Sequence, residues 1–459
     1  MSSSGHYESI KPYPRKPPFT TNPEKSHIYV SDTPARNGTT APYVFGNSQE
    51  FERHIAATPK PGTRVVSVFS QNSLRPLGIT ENAFLSLLKH YDAGPEFADL
   101  AVSFGDKPHS ADAGHGDMTM KQRRDGSHDM QYLFAFPEDY RLANGGGEET
   151  ISWTIRQVAV FHRYSPSGAG NLWVFLHAKP KPKVQHSIEE TIQRCAGGNG
   201  RENWFSLHST VLSSYLHNWR WYLRHLGDDV ERLVDIALTL DLSSTDGTKN
   251  GHTRALALQH LDDKLLCIPA RLTVALSTVR SLEQFNELLH SRRLCTDAAF
   301  QHWADEMAYH RAQIEGQLKS ASVLERKVQR ILNLLSVALG LKNQDTTVGI
   351  NNKMLKLTNE TFDDNATVRV VTLVTLIYLP ASFVSTLLGM NLFSFEDPEG
   401  APNFTISKEF WIFVVLAVPL TLLTLASWYI FTRRRMLRRK FKRASGELDE
   451  KGPTEMEEA

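Results

Sequence analysis

The chain has 459 residues, with 51 Lys and Arg against 50 Asp and Glu and a formal net charge of +1. That length allows two or three domains, each with its own core, and the balanced charge gives no basis for a nucleic-acid partner. Three cysteines, Cys195, Cys267 and Cys295, without CxxC spacing, argue against a disulfide framework and fit a reducing compartment.

The first stretch, MSSSGHYESIKPYPRKPPF, lacks the apolar core of a secretory signal and the amphipathic period of a presequence. Residues 1–60, with KPYPRKPPF and TPKPG, read as a mostly disordered tail. Over 61–180, the runs RVVSVFS (64–70), QYLFAFP (131–137), ISWTIRQVAVFHRY (151–164) and NLWVFLHA (171–178) predict strands. SPSGAG joins the last two as a hairpin, and TENAFLSLLKHY predicts a helix capped by Thr80. Together they predict an α/β regulatory domain. Residues 187–364 turn helical, with Trp219, Trp221 and Tyr222 expected in the core. A long helix is expected from about Ser320 onward, with Gly340 and Gly349 as loosening points.

Two constellations have metal-ligating residue types. His109, Asp112, His115 and Asp117 sit in a Gly-rich loop, where spacing says little about geometry. His302, Glu306 and His310, at i, i+4 and i+8, share a helix face that reads more simply as solvated and polar. No nucleophile elbow, phosphate loop or HExxH is present, so the expectation is a protein that is not an enzyme and needs no cofactor.

No charged side chain occurs from Val370 to Leu388 or from Phe410 to Phe431. As a helix the second run reaches roughly 33 Å, enough for a hydrocarbon core of about 30 Å. Trp411 at one end and Trp428 with Tyr429 at the other resemble interfacial belts, which disfavours a hairpin buried in a soluble core. The predicted pieces are a first span at 365–391, an outer loop at 392–408, a second span at 409–431 and a basic, then acidic, tail at 432–459. The tail carries Arg433, Arg434, Arg435, Arg438, Arg439 and Lys440, while the loop carries Glu396, Asp397 and Glu399. The positive-inside rule then places both termini in the cytosol. The plasma membrane is the expected location, because no organelle address is visible. Asn403-Phe404-Thr405 is a sequon on the loop.

On the first span, Asn365, Thr372, Thr375, Ser382 and Thr386 gather on one helical face, opposite Val370, Val374, Ile377, Val384 and Leu388. Small hydroxyls also occur at ordinary helix contacts. Two spans cannot enclose a water-filled path, so a pore would require several copies. Pro380 leaves the carbonyl of Leu376 without its helical donor, to be satisfied by Thr372, Thr375 or water.

Gly389-Met390-Asn391 closes this span, followed by a short acidic loop and a last span with a basic tail. TLVTLIYLPASFVSTLLGMN places a proline eleven residues before Asn391. From Asn365 to Arg443 the chain thus resembles the CorA-type divalent-cation (magnesium) transporters. SWTIRQVAVFHRY and YLHNWRWYLRHL resemble the fungal CorA-like branch. A chance Gly-Met-Asn at one given place is on the order of one in ten thousand.

The resemblance implies an α+β cytosolic domain, a long helical stalk and two C-terminal transmembrane helices, assembled as a homopentameric funnel. It puts Asn365, Val368, Val371, Leu379, Ser382 and Thr386 along the pore with Asn391 ringing its mouth; Thr372 and Thr375 join them from the polar face. Glu396, Asp397 and Glu399 would attract cations, and the basic collar would meet anionic lipid. Mg²⁺ is the implied transported ion. The family's cytosolic bodies sense divalent ions at acidic contacts, and Asp228, Asp229, Asp262, Asp263, Asp363 and Asp364 are available without any motif that selects among them. Three departures stand out. Leu388 replaces an aromatic residue, Pro398-Glu399 lies two residues late, and Thr386 takes the place of a smaller residue. They leave open transport of Zn²⁺, Co²⁺ or Ni²⁺, or a non-conducting membrane-anchored sensor or scaffold.

Overall fold

The computed structural model describes residues 17–33, 42–58, 61–106, 108–143, 149–167, 170–195, 203–238, 245–387, 393–396, 403–406 and 410–449. In chain order the elements are β1 (Ile28–Thr33), β2 (Tyr43–Phe45), α1 (Ser48–Ala57), β3 (Thr63–Phe69), α2 (Glu81–Tyr91), α3 (Glu96–Val102), β4 (Thr119–Gln122), β5 (His128–Ala143), β6 (Glu149–Tyr164) and β7 (Asn171–His177). Then follow α4 (Lys183–Cys195), α5 (Ser206–Leu238), α6 (Thr245–Leu266), α7 (Ile268–Ser291), α8 (Asp297–Leu387), β8 (Phe393–Glu396), β9 (Asn403–Ile406) and α9 (Phe410–Asp449). The chain divides into two units, Met1–Lys342 and Asn343–Ala459.

The first unit is built on a seven-stranded sheet of order β2-β1-β3-β7-β6-β5-β4. Its pairs are antiparallel except β3 with β7, which run parallel from Thr63↔Asn171 to Phe69↔His177. Side chains alternate across a strand, and the sheet uses both faces. Trp173 and Phe175 of β7, Val158 and Val160 of β6, and Tyr132 and Phe134 of β5 join one core with α4, α5, α7 and α8. Their neighbours Leu172, Val174, Ala159, Phe161 and Leu133 join a second core with α1, α2 and α3. This double coverage explains the nearly continuous apolar runs of β3 and β7.

Local chemistry ends the helices as expected. Thr80 Oγ1 accepts from Ala83 N at 3.3 Å to cap α2, which closes on Asp92 in the left-handed region at φ 49°. Pro269 opens α7, where a missing N–H costs nothing.

Three expectations need correction. Residues 1–60 are not a uniformly disordered tail: 28–57 contain β1, β2 and α1, and Phe19, Ile28, Val30, Phe51 and Ile55 are buried in the second core. β1 and α1 each bury only two apolar side chains and β2 none, so their period is weak; pairing of β1 with β3 supplies the order. Residues 1–16 lie outside the described residues. The stalk helix begins at Asp297, not near Ser320, and continues through Gly340 and Gly349. The 392–408 connection contains a small hairpin, with Phe393 opposite Ile406 and Glu396 opposite Asn403.

Candidate functional site

In the second unit the apolar stretch Val370–Thr386 of α8 has 17 residues. Phe410–Phe431 of α9, at 22 residues and mean hydropathy 2.3, is long and apolar enough to cross a bilayer. Both lay large apolar side chains open, among them Val374, Ile377 and Phe383 on α8 and Trp411, Leu422 and Leu423 on α9. Such surface needs lipid or further protein to cover it. The stretch Gly247–Ser291 passes the same length test, but it is largely buried and belongs to the helical core of the first unit.

The hydroxyl face has a specific chemistry. Thr372 donates to the carbonyl of Val368 at 2.6 Å, Thr375 to Val371 at 2.6 Å, Ser382 to Leu379 at 3.1 Å and Thr386 to Ser382 at 2.8 Å. All four are exposed. Each proton goes to the helix backbone, so each oxygen offers its lone pairs outward. A row of acceptors without donors suits the water shell of a cation. It also corrects one expectation: Thr372 and Thr375 serve the carbonyls of Val368 and Val371, not that of Leu376 freed by Pro380. The helix nevertheless runs on through Pro380.

Val371, Thr372, Thr375 and Leu379 share the wall of a groove of about 320 Å³ with Leu376, Pro380 and Thr424 of α9. Thr424, which donates to the Thr421 carbonyl at 2.8 Å, is absent from the sequence-derived site. Its only sequence signal is being one of three hydroxyls, with Thr421 and Ser427, in a largely apolar run. Ser382 and Thr386 are not among the groove's walls, and Val368 lies exposed one turn before Val371. Asn365 lies on α8 and Glu396 on β8, with side chains outside the described residues; Gly389, Met390, Asn391, Asp397 and Glu399 lie outside them altogether. Arg433 and Arg434 are exposed on α9, and Arg435, Arg438, Arg439 and Lys440 continue the same helix.

In the first unit, among the described residues, no group of three or more His, Cys, Asp or Glu is placed to hold a metal ion. The helix triplet does not form one solvated face. His310 is buried, its pKa lowered by burial with Glu306 opposing, while Glu306 accepts from Ser209 and His302 is exposed. His109, Asp112 and His115 border a cavity, and Asp117 does not. Of the candidate sensor acids, Asp229 pairs with Arg232, and Asp262 accepts from Gln329 at 2.8 Å. Asp228 and Asp263 are exposed, and the side chains of Asp363 and Asp364 lie outside the described residues.

Two family models match. One, described as CorA-like transporters, covers residues 15–238; the other, described as CorA-like Mg²⁺ transporter protein, covers residues 174–435. The chain is 42% identical over 60 residues to Notoamide biosynthesis cluster protein M' of Aspergillus versicolor, a stretch that takes in 13% of this chain and 13% of that relative's length. Among solved structures it is similar to the full-length CmaX protein, 14% identical with 91% of this chain and 100% of that one covered at a TM-score of 0.39. It is also similar to the soluble domain of CorA from Methanocaldococcus jannaschii, 12% identical, covering 67% and 95% at a TM-score of 0.33. The ZntB cytoplasmic domain from Vibrio parahaemolyticus RIMD 2210633 is 10% identical, covering 66% and 97% at a TM-score of 0.33. The second family model takes in more than half of the chain, including the apolar stretches of α8 and α9, and the chain belongs to the CorA family of CorA-like Mg²⁺ transporter proteins.

Proposed function

We propose that the chain conducts Mg²⁺ into the cytosol through a homopentameric pore lined by the first apolar span. The observation that carries this reading is the row of outward hydroxyl acceptors at Thr372, Thr375, Ser382 and Thr386, on a span whose sequence ends in Gly389-Met390-Asn391.

Mg²⁺ holds its waters tightly and dehydrates reluctantly. Neutral oxygens accept hydrogen bonds from that shell without stripping it, and five Asn391 carbonyls would do so at the mouth. Five carboxylates there would hold the ion too firmly for release. Glu396, Asp397 and Glu399 concentrate cations from a distance. Val368, Val371 and Leu379 form apolar steps that close by dewetting. A membrane potential of 100 mV contributes about 4.6 kcal/mol to inward movement of a divalent ion. Cytosolic ion occupancy sets the gate, and the collar from Arg433 to Lys440 meets anionic lipid at the inner face.

A second reading, a membrane-anchored sensor that no longer conducts, is favoured by Leu388 and by the late Pro398-Glu399. The deciding experiment is ion uptake in Mg²⁺-uptake-deficient cells, comparing wild type with Asn391→Ala at matched surface expression. Uptake that collapses in the variant supports the pore. A well-expressed wild type that passes none of Mg²⁺, Zn²⁺, Co²⁺ or Ni²⁺ leaves the sensor. Uptake of one of the other three without Mg²⁺ changes the ion and keeps the pore.

A further inference from the structure

A cavity of about 690 Å³ opens in the first unit between the loop that follows α3, the sheet and the first turns of α7. It lies within the size range of small-molecule sites. Its inner wall is apolar, with Phe104, Leu133 and Val274 all buried. Gln157 on β6 is also buried and braces the loop by donating to the Ser103 carbonyl at 2.5 Å.

Among the described residues, one arginine or lysine belongs to that wall, Arg271 of α7. It differs from four other sheltered arginines. Arg64 is held by Asp32, Arg123 by Asp92 and Asp129, Arg156 by Glu138, and Arg163 by Asp129. Among the described residues no carboxylate lies within ion-pair distance of Arg271. The groups closest in electrostatic effect are the Cys267 thiol and the Tyr222 hydroxyl, and burial presses its pKa below the ordinary arginine value. A sheltered guanidinium without an anion is costly, and proteins rarely keep one without a purpose.

Among the described residues the mouth carries carboxylates. Asp99, Asp106 and Asp112 border the cavity there, all exposed, beside His109 and His115. This pattern selects a ligand class. A polyanion such as a nucleotide would meet three carboxylates on the way in. A simple cation would be drawn to the mouth but repelled by Arg271 and would leave the apolar wall uncovered. A molecule with a carboxylate at one end, an apolar middle and a protonated amine at the other satisfies every part.

We propose that this cavity binds a small amino carboxylate, its carboxylate on Arg271, its apolar body against Phe104, Leu133 and Val274, and its ammonium beside Asp99 and Asp112. The site lies in the first unit, and the inference does not depend on which ion the spans conduct.

The test is calorimetric titration of the full-length protein in lipid nanodiscs with 6-aminohexanoate, hexanoate and hexylamine. Saturable binding of 6-aminohexanoate is expected, at least about tenfold tighter than either single-charge analogue. Arg271→Gln should weaken it by about tenfold or more, and the double variant Asp99→Asn, Asp112→Asn should bring it towards the affinity of hexanoate. No saturable heat with 6-aminohexanoate overturns the proposal, as does unchanged affinity in Arg271→Gln or equal affinity for hexylamine. Thermal unfolding of Arg271→Gln gives a separate check. Because no described carboxylate loses an ion-pair partner, the midpoint should hold or rise, and a fall of more than about 4 °C assigns Arg271 a structural role instead.

Discussion

Asp32 and Arg64 stand directly opposite each other on β1 and β3 and meet in a two-pronged ion pair, Arg64 Nε to Oδ1 at 2.7 Å and Nη2 to Oδ2 at 2.6 Å. The Arg64 side chain is fully buried, and its remaining nitrogen donates to the Tyr91 hydroxyl at 2.8 Å. A second cross-strand pair, Asp129 with Arg163 on β5 and β6, reaches the backbone carbonyl of the same tyrosine through Arg163. The C-terminal end of α2 is thus pinned to the sheet from two sides.

Removing one partner of a buried pair leaves an uncompensated charge, at a cost of about 3–5 kcal/mol. Asp32→Ala should therefore lower the thermal midpoint of the full-length protein, read from tryptophan fluorescence, by several degrees. The double variant Asp32→Ala, Arg64→Met should recover much of that loss. Equal midpoints for the single and double variants would show that the penalty does not come from the stranded guanidinium.

Acid should weaken the same body through its buried histidines. His208 lies between the Tyr132 hydroxyl at 3.1 Å and His162 at 3.0 Å. Burial pulls the pKa of His208, and of His177, down to about 3; burial and then His208 hold His162 well below its usual range. Above about pH 6.5 these rings are neutral in folded and unfolded chains alike, and their contribution is complete. Below it the unfolded chain takes up protons that the folded chain refuses, until about pH 3 for His208 and His177, so stability falls as pH falls, by about 1.4 kcal/mol per unit for each ring. The midpoint should drop between pH 7 and pH 5, and His208→Gln should flatten that slope. A slope unchanged in the variant would place the acid sensitivity elsewhere.

Gly116 has φ +103°, and a Cβ there would lie 2.5 Å from Leu133 Cβ and 3.1 Å from its carbonyl oxygen. Gly126 has φ +83° but open space around it. Gly116→Ala should cost about 1–3 kcal/mol more than Gly126→Ala, because only the first adds overpacking to backbone strain. Chemical denaturation of the two variants side by side reads the difference.

Leu379 is exposed on α8 and stands one turn beyond Thr375 on the same groove. If it is an apolar step of the pore, Leu379→Asn should let water stay there and raise basal ion flux at high cytosolic Mg²⁺, on the order of tenfold. Unchanged basal flux would remove Leu379 from the gate.

By itself the sequence determined the elements whose signal is local. Strands β3, β5, β6 and β7 are legible because their apolar runs are long and bounded by turn residues, and α2 announces itself through Thr80. The charge-free runs of α8 and α9 need only counting, because a bilayer demands length and apolarity from consecutive residues. The hydroxyl face follows from helical spacing alone.

Tertiary structure decided what depends on residues distant in the chain. Ile28 and Val30, or Phe51 and Ile55, are too few to mark an element until β3 and α2 lie beside them. Asp32, Arg64, Asp129 and Arg163 are ordinary surface residue types in sequence, and only strand register turns them into buried pairs. Thr424 joins the groove, and Arg271 the cavity wall, because packing of separate elements creates those surfaces. Periodicity records which way a side chain points along its own element, whereas what it meets there is fixed by long-range pairing that no local pattern encodes.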